Sequence, residues 1–180
     1  MKTIGEPGTG RPPLLTLAIA AATSLLTVAA LAYPSLLALL ERNEARIAAG
    51  EFWRLLTSFL VLGDNATQIG FNLAGLLLLG TPVERRLPRR LWAIAYLGGG
   101  VVGQLAGLYW KPFGAGNSVA IAGLAGLLLV HMARREGATL PQRLAWPVAG
   151  FGFAAWLSLI QDIHGLPVFA GALAGLMPRR

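Results

Sequence analysis

The sequence predicts an all-α integral membrane fold, a bundle of six transmembrane helices with an amphipathic outer loop between helices 1 and 2. Three observations carry that reading. Charged residues make up only 13% of the 180 residues and hydrophobic ones 55%, with a mean hydropathy of +0.61. An average soluble domain carries about 25% charged residues, so a water-soluble core fits poorly. The apolar residues fall into six runs, at residues 13–33, 66–82, 91–110, 115–133, 145–160 and 163–177. The basic residues sit between these runs and are unevenly divided between the two sides.

Residues 1–12 are polar and rich in Gly and Pro, which predicts a short disordered cytoplasmic tail ahead of one membrane domain, 13–180. The first run is longer than the apolar core of a signal peptide and has no clear cleavage site, so it is expected to be a retained span. Crossing a hydrocarbon layer of ~30 Å needs about 20 helical residues. The first, third and fourth runs meet that length. The fifth and sixth are short, which implies a thinned bilayer or spans that begin inside their loops.

Residues 34–64 mix apolar residues with Glu41, Arg42, Glu44, Arg46, Glu51 and Arg54. This segment is too charged to span and is expected to lie at the outer interface, anchored by Phe52 and Trp53. The glycines Gly99, Gly103 and Gly107 on the third span, and Gly171 and Gly175 on the sixth, recur every fourth residue. That spacing lets helix backbones approach closely.

The net charge of +7 raises the possibility of nucleic-acid binding, but its placement speaks for topology instead. With the N-terminus inside, eleven of the fifteen basic residues lie on the inner side, and only Arg42, Arg46, Arg54 and Lys111 lie outside. This predicts both termini in the cytoplasm. The absence of cysteine excludes disulfide and thiol chemistry. No Asp, Glu, His or Cys cluster has ligand spacing, so neither a metal nor a cofactor is expected. Few charges fall inside the spans, which argues against ion conduction.

The predicted topology brings polar groups to one depth. The second, fourth and sixth spans run from outside to inside, so their first turns share the outer leaflet. Gln68 and Asn72 lie there on one face of the second span. Asn117 and Ser118 open the fourth span; Asp162 and His164 open the sixth. Polar groups at membrane depth usually face the bundle interior or a water-filled cavity. Each also has a plainer reading. Ser118 could bond back to its own helix, Asn72 and Gln68 could join helices, and His164 could be a loop histidine. A serine needs a base to become a nucleophile. His131 is 13 residues beyond Ser118 on the same helix, roughly 20 Å away, which leaves His164. A Ser118–His164 pair with amide donors beside it suits acyl transfer. Asp162 is expected chiefly to cap the sixth helix, with orientation of His164 as the alternative.

Over about residues 50–177 the sequence resembles the rhomboid family of intramembrane serine proteases. "GEFWRLLTSFL" is similar to its Trp-Arg signature, here Trp53 and Arg54. "QIGFN" resembles its His-x-x-x-Asn, with Gln68 and Asn72 in those slots. "GTPVERRL" resembles the Gly-x-x-x-Glu segment, with Glu84 in the Glu slot. "GNSVAIAGLAG" resembles Gly-x-Ser-Gly followed by spaced glycines, with Ser118 as nucleophile, Val119 in place of a glycine, Ala122 in place of an aromatic, and Gly123 beyond. "HGLPVFAGALAG" resembles the sixth-span histidine and its glycines Gly171 and Gly175.

The resemblance implies a rhomboid-like six-helix bundle in which Ser118 and His164 are catalytic and Asn72, Gln68 and Asn117 serve the oxyanion or substrate. Trp53, Arg54, Glu84, Gly123, Gly171 and Gly175 would be structural. Substrates would be single-span membrane proteins, cut near the outer face of what is expected to be a bacterial inner membrane. The glycine spacing leaves two registers open. Counting back from Gly171 and Gly175 puts Val168 in the histidine slot, one turn beyond His164. In that register the chain would be an inactive rhomboid-like protein that binds transmembrane helices.

Overall fold

The computed structural model describes residues 11–63, 65–137 and 139–178. The expected tail, 1–12, lies outside them apart from its last two residues. Helix α1 (Leu14–Ala32) leads into α2 (Pro34–Leu40), strand β1 (Arg42–Asn43), α3 (Glu44–Ala48) and α4 (Arg54–Thr57). Next come α5 (Ala66–Gly75), a π-helical turn (Leu76–Gly80) and α6 (Thr81–Arg86), which together make one continuous rod. Helix α7 (Arg89–Trp110), strand β2 (Phe113–Gly114), α8 (Ser118–Ala133), α9 (Leu140–Leu159) and α10 (Gly165–Leu176) complete the chain.

Among the described residues three helices are long and apolar enough to cross a membrane: Leu14–Ala32, Ala66–Arg86 and Arg89–Trp110. Ser118–Ala133 and Gly165–Leu176 are shorter apolar helices. The fourth apolar run therefore yields a helix of 16 residues, shorter than its sequence suggests. Its first residues, 115–117, form an irregular loop after β2, because Gly116 takes positive φ and cannot continue a helix. The fifth element is longer than its apolar run, since α9 begins at Leu140 inside the preceding loop.

Local chemistry explains the breaks. Asn65 starts α5 by accepting the Gln68 N–H through its side chain at 3.1 Å. Pro82 has no N–H for the Leu78 carbonyl, and the turn before it widens to π geometry. The Trp92 indole donates to the Gly80 carbonyl in that widened turn at 3.1 Å.

Helix α8 is central and packs against α7, α9 and α10. The core around it includes Phe59, Leu76, Trp92, Tyr96, Leu124 and Leu127. Lipid tails are as apolar as these side chains, so close packing of small residues does much of the holding. A Cβ on Gly99 would lie 2.7 Å from the Gly123 Cα. A Cβ on Gly171 would overlap the Gly123 carbonyl, and one on Gly126 the Val168 carbonyl. Gly175 receives Val130 and Leu127 in the same way. Gly107 departs from this pattern: it accommodates the Arg42 guanidinium, not a second helix.

The segment between α1 and α5 is held by buried arginines. Arg54 is 3% exposed and donates to the Ala38 and Glu41 carbonyls and to the Glu51 carboxylate. Trp53 and Phe52 beside it are exposed. Glu84 is fully buried on α6. It accepts the Leu15 and Thr16 N–H groups at the start of α1, the Thr16 hydroxyl, and Arg89.

Candidate active site

Ser118 is the first residue of α8. Helix geometry leaves its N–H, and those of the next residues, without acceptors inside the helix, and the helix dipole favours negative charge there. The loop delivering it is anchored from three sides. Arg42 and Asn43 pair antiparallel with Gly114 and Phe113. The Gly116 N–H donates to the Ser58 carbonyl at 2.8 Å, and Gln68 donates to the Ala115 carbonyl at 3.2 Å. Gly116 has φ +139°, and a Cβ there would lie 3.4 Å from the Asn72 amide nitrogen. The loop therefore needs glycine for its backbone, and it runs in contact with the Gln68 and Asn72 amides.

His164 lies at the start of α10. Its Nε2 is 2.8 Å from the Ser118 Oγ, and its Nδ1 is 2.6 Å from the Asp162 Oδ1. The same carboxylate oxygen accepts the His164 backbone N–H at 2.9 Å. Lys111 reaches the other oxygen, Oδ2, at 3.3 Å. An ionised carboxylate only accepts, so Nδ1 carries the ring proton. Nε2 then accepts from the Ser118 hydroxyl. Burial alone would raise the Asp162 pKa. The two His164 hydrogen bonds and the charges of His164 and Lys111 outweigh it and hold the carboxyl below its usual range. The His164 side chain retains 34% of its exposure, so the pair is not sealed inside the protein.

The register question has a geometric answer. The Val168 carbonyl packs over Gly126, eight residues and about 12 Å beyond Ser118. Val168 is thus not opposite the serine, and the position across from it belongs to His164. The turn that allows this holds Gln161 at φ 59°, with the Asp162 N–H bonded back to the Leu157 carbonyl at 2.9 Å. Val119, standing in the family's glycine slot, points away from the serine. Its side chain fills the space beside Gly103, and Pro167 closes that space from α10.

The other polar residues divide. Asn72 is buried, 5% exposed, with its amide flanking Gly116. Gln68 reaches the same loop, with its donor engaged by Ala115. Asn117 is enclosed, 0% exposed, and its amide lies beside the Tyr96 hydroxyl with no well-formed hydrogen bond. Asp162 forms the cap-like bond and the ring bond together, where the sequence suggested a choice between them. Arg42 escaped the sequence reading. It is 2% exposed, donates to the Lys111 and Phe113 carbonyls, and bonds Gln104 on α7. The Gly107 spacing carried a trace of it, since that glycine makes room for the guanidinium. Among the described residues no three His, Cys, Asp or Glu side chains cluster as metal ligands. A wider cleft at the far end of α8, lined by Met132, Pro141 and Trp146, has no serine or histidine in its wall.

Comparison with known proteins gives the family. The family model described as "Rhomboid domain" matches residues 49–177. The chain is 38% identical over 89 residues to "Rhomboid protease GluP" of Bacillus subtilis (strain 168), covering 49% of this chain and 17% of that protein. It is 29% identical over 119 residues to "Putative rhomboid protease YdcA" of the same organism, covering 64% of this chain and 59% of that one. The matches thus span less than two thirds of either relative. The family match, running from the segment between α1 and α5 through the Ser118 loop to the last helix, establishes that this integral membrane chain belongs to the rhomboid family of intramembrane serine proteases.

Proposed function

We propose that the protein is an active intramembrane serine endopeptidase working through Ser118 and His164. The observation that carries this reading is the 2.8 Å contact between Ser118 Oγ and His164 Nε2, with the ring proton on Nδ1. Ser118 attacks the scissile carbonyl carbon as its hydroxyl proton passes to Nε2. The carbonyl electron pair becomes the oxyanion, held by the Ser118 N–H at the α8 N-terminus and by Asn72. As the C–N bond breaks, His164 returns the proton to the leaving amine, and water then releases the acyl group. Gln68 joins the oxyanion donors once it releases the Ala115 carbonyl, and Asn117 braces the loop from beneath.

In this reading α1, the α5–α6 rod and α7 to α10 are the six passes, with both termini in the cytoplasm of a bacterial plasma membrane. The Ser118 loop then opens to the outer side. Substrates are single-span membrane proteins whose helices weaken near that face. The test uses purified protein in detergent and in liposomes. A fluorophosphonate probe labels the wild type, and a single-span reporter is cut; both signals vanish in Ser118→Ala and His164→Ala. Labelling that persists in His164→Ala removes that residue from the mechanism. Absent labelling with retained capture of a membrane-helix peptide supports a non-catalytic binding protein instead.

A further inference from the structure

We propose that Asp162 is a positioning residue of this site, so that the chain works with a Ser118–His164–Asp162 array in place of the serine and histidine that the family pattern implies. The inference rests on the Ser118–His164 reading and extends it. An Asx turn leading into α10 would need only the bond from the His164 backbone N–H. The structure adds a separate, shorter bond from the His164 ring to the same oxygen, 2.6 Å against 2.9 Å. The other oxygen is held by Lys111, which comes from the far end of α7. The carboxylate is thus fixed by three contacts from two parts of the chain.

The local backbone is shaped for this. Gln161 adopts a left-handed conformation that a side-chain-bearing residue rarely takes. That turn reverses the chain at the end of α9 and brings Asp162 back over the ring two residues on. Asp162 and Lys111 are the charged side chains within ion-pair reach of this cluster among the described residues. The second span contributes Gln68 and Asn72, which are uncharged, and α8 contributes Ser118. The negative charge beside Nδ1 is therefore what offsets the positive charge the ring gains during attack. Asp162 accepts no proton. It holds the tautomer in which Nε2 is free to receive the Ser118 proton, and it stabilises the imidazolium until the leaving amine takes that proton.

Asp162→Asn separates the two roles, since Asn forms the same turn as Asp and lacks the charge. The full chain is studied in detergent. The second-order rate of fluorophosphonate labelling is followed over about pH 5–9, together with the melting temperature. The expected result is a labelling rate about 10–100-fold lower at neutral pH, measured at a temperature where the melts show both proteins fully folded. That loss is smaller than for a fully buried triad because the site is partly open. An Asn variant with the wild-type rate and profile, alongside an unlabelled His164→Ala, overturns the proposal and leaves the Ser118–His164 reading standing. Full labelling of His164→Ala overturns both. A second measurement needs no folded variant at position 162. In wild-type protein with 15N-labelled histidine, the resting His164 ring proton is expected on Nδ1; finding it on Nε2 overturns the proposal.

Discussion

Val119 of α8 fills the space that Gly103 leaves on α7: a Cβ placed on Gly103 would overlap the Val119 Cβ and lie 2.7 Å from its Cγ1. The residue that departs from the family's glycine is thereby matched by a glycine on the neighbouring helix. The fit steers the valine side chain away from the Ser118 N–H.

The pair gives a reciprocal prediction. Gly103→Ala forces α7 and α8 apart next to the nucleophile and is expected to cost about 1–3 kcal/mol, the usual penalty of overpacking. The double variant Gly103→Ala/Val119→Gly should recover most of that loss, because the overlap disappears. Thermal melts of the three variants in detergent check this through the coupling energy of the cycle. Additive effects would mean that the two residues do not share one space.

Glu84 carries the second prediction. Its buried carboxylate accepts two backbone N–H groups at the start of α1, the Thr16 hydroxyl and Arg89. Glu84→Ala strands those donors and leaves Arg89 without its partner. The expected cost is about 1–3 kcal/mol for each buried donor left unpaired, since Arg89 itself stays partly exposed. Thr16→Ala removes one bond and should cost about 1 kcal/mol. Melting temperatures should fall in that order. Reaction rates per folded molecule should hold, since Glu84 lies on α6, well beyond Asn72 along the second span.

The third prediction concerns Arg42, which joins β1 to the loop that delivers Ser118. Arg42→Met keeps much of the side-chain length but leaves the Lys111 and Phe113 carbonyls and Gln104 without their donor. Probe labelling is expected to drop about tenfold or more even at temperatures where the protein stays folded, because a small misplacement of a catalytic group is costly. Arg42→Lys should recover little, since one ammonium cannot span three acceptors that a planar guanidinium reaches. A lysine variant with full activity would show that Arg42 supplies charge alone.

How much of this was legible beforehand follows from the range of the interactions. The helical bundle was readable because each run carries its own signal: apolar length, a breaking Pro or Gly, and charge at the ends. Ser118 was readable because a hydroxyl inside an apolar run stands out and only one histidine could match its depth. The partner of Val119 was not readable, since the side chain and the space meet only when α7 and α8 are packed. Arg42 was hidden for a similar reason. It falls in a charged stretch that suggests a solvated interface, and only the two-residue β1–β2 pairing encloses it. The His164 register was ambiguous because glycine spacing fixes the sixth helix only relative to itself; α10 runs unbroken from Gly165 past Gly171 and Gly175, and it is the packing of those glycines on α8 that sets its His164 end, not Val168, beside Ser118.

Asp162 leads to the last prediction, for stability against pH. Its carboxyl is held below the usual range because its bonds to His164 and the charges of His164 and Lys111 outweigh the opposing effect of burial. A depressed carboxylate binds protons less readily in the folded chain than in the unfolded one. Its contribution is therefore fully present above the ordinary aspartate range and disappears as pH falls through the lowered folded value. Asp162→Asn has no such proton to gain. The melting temperature of the wild type should thus fall relative to that of the variant as pH drops below the ordinary aspartate range, and the difference between them should be flat near neutrality. Parallel melts of the two proteins across the acid range measure this directly. A difference that stays constant to the lowest pH would mean that Asp162 titrates alike in both states and that its contacts contribute no acid-labile stability.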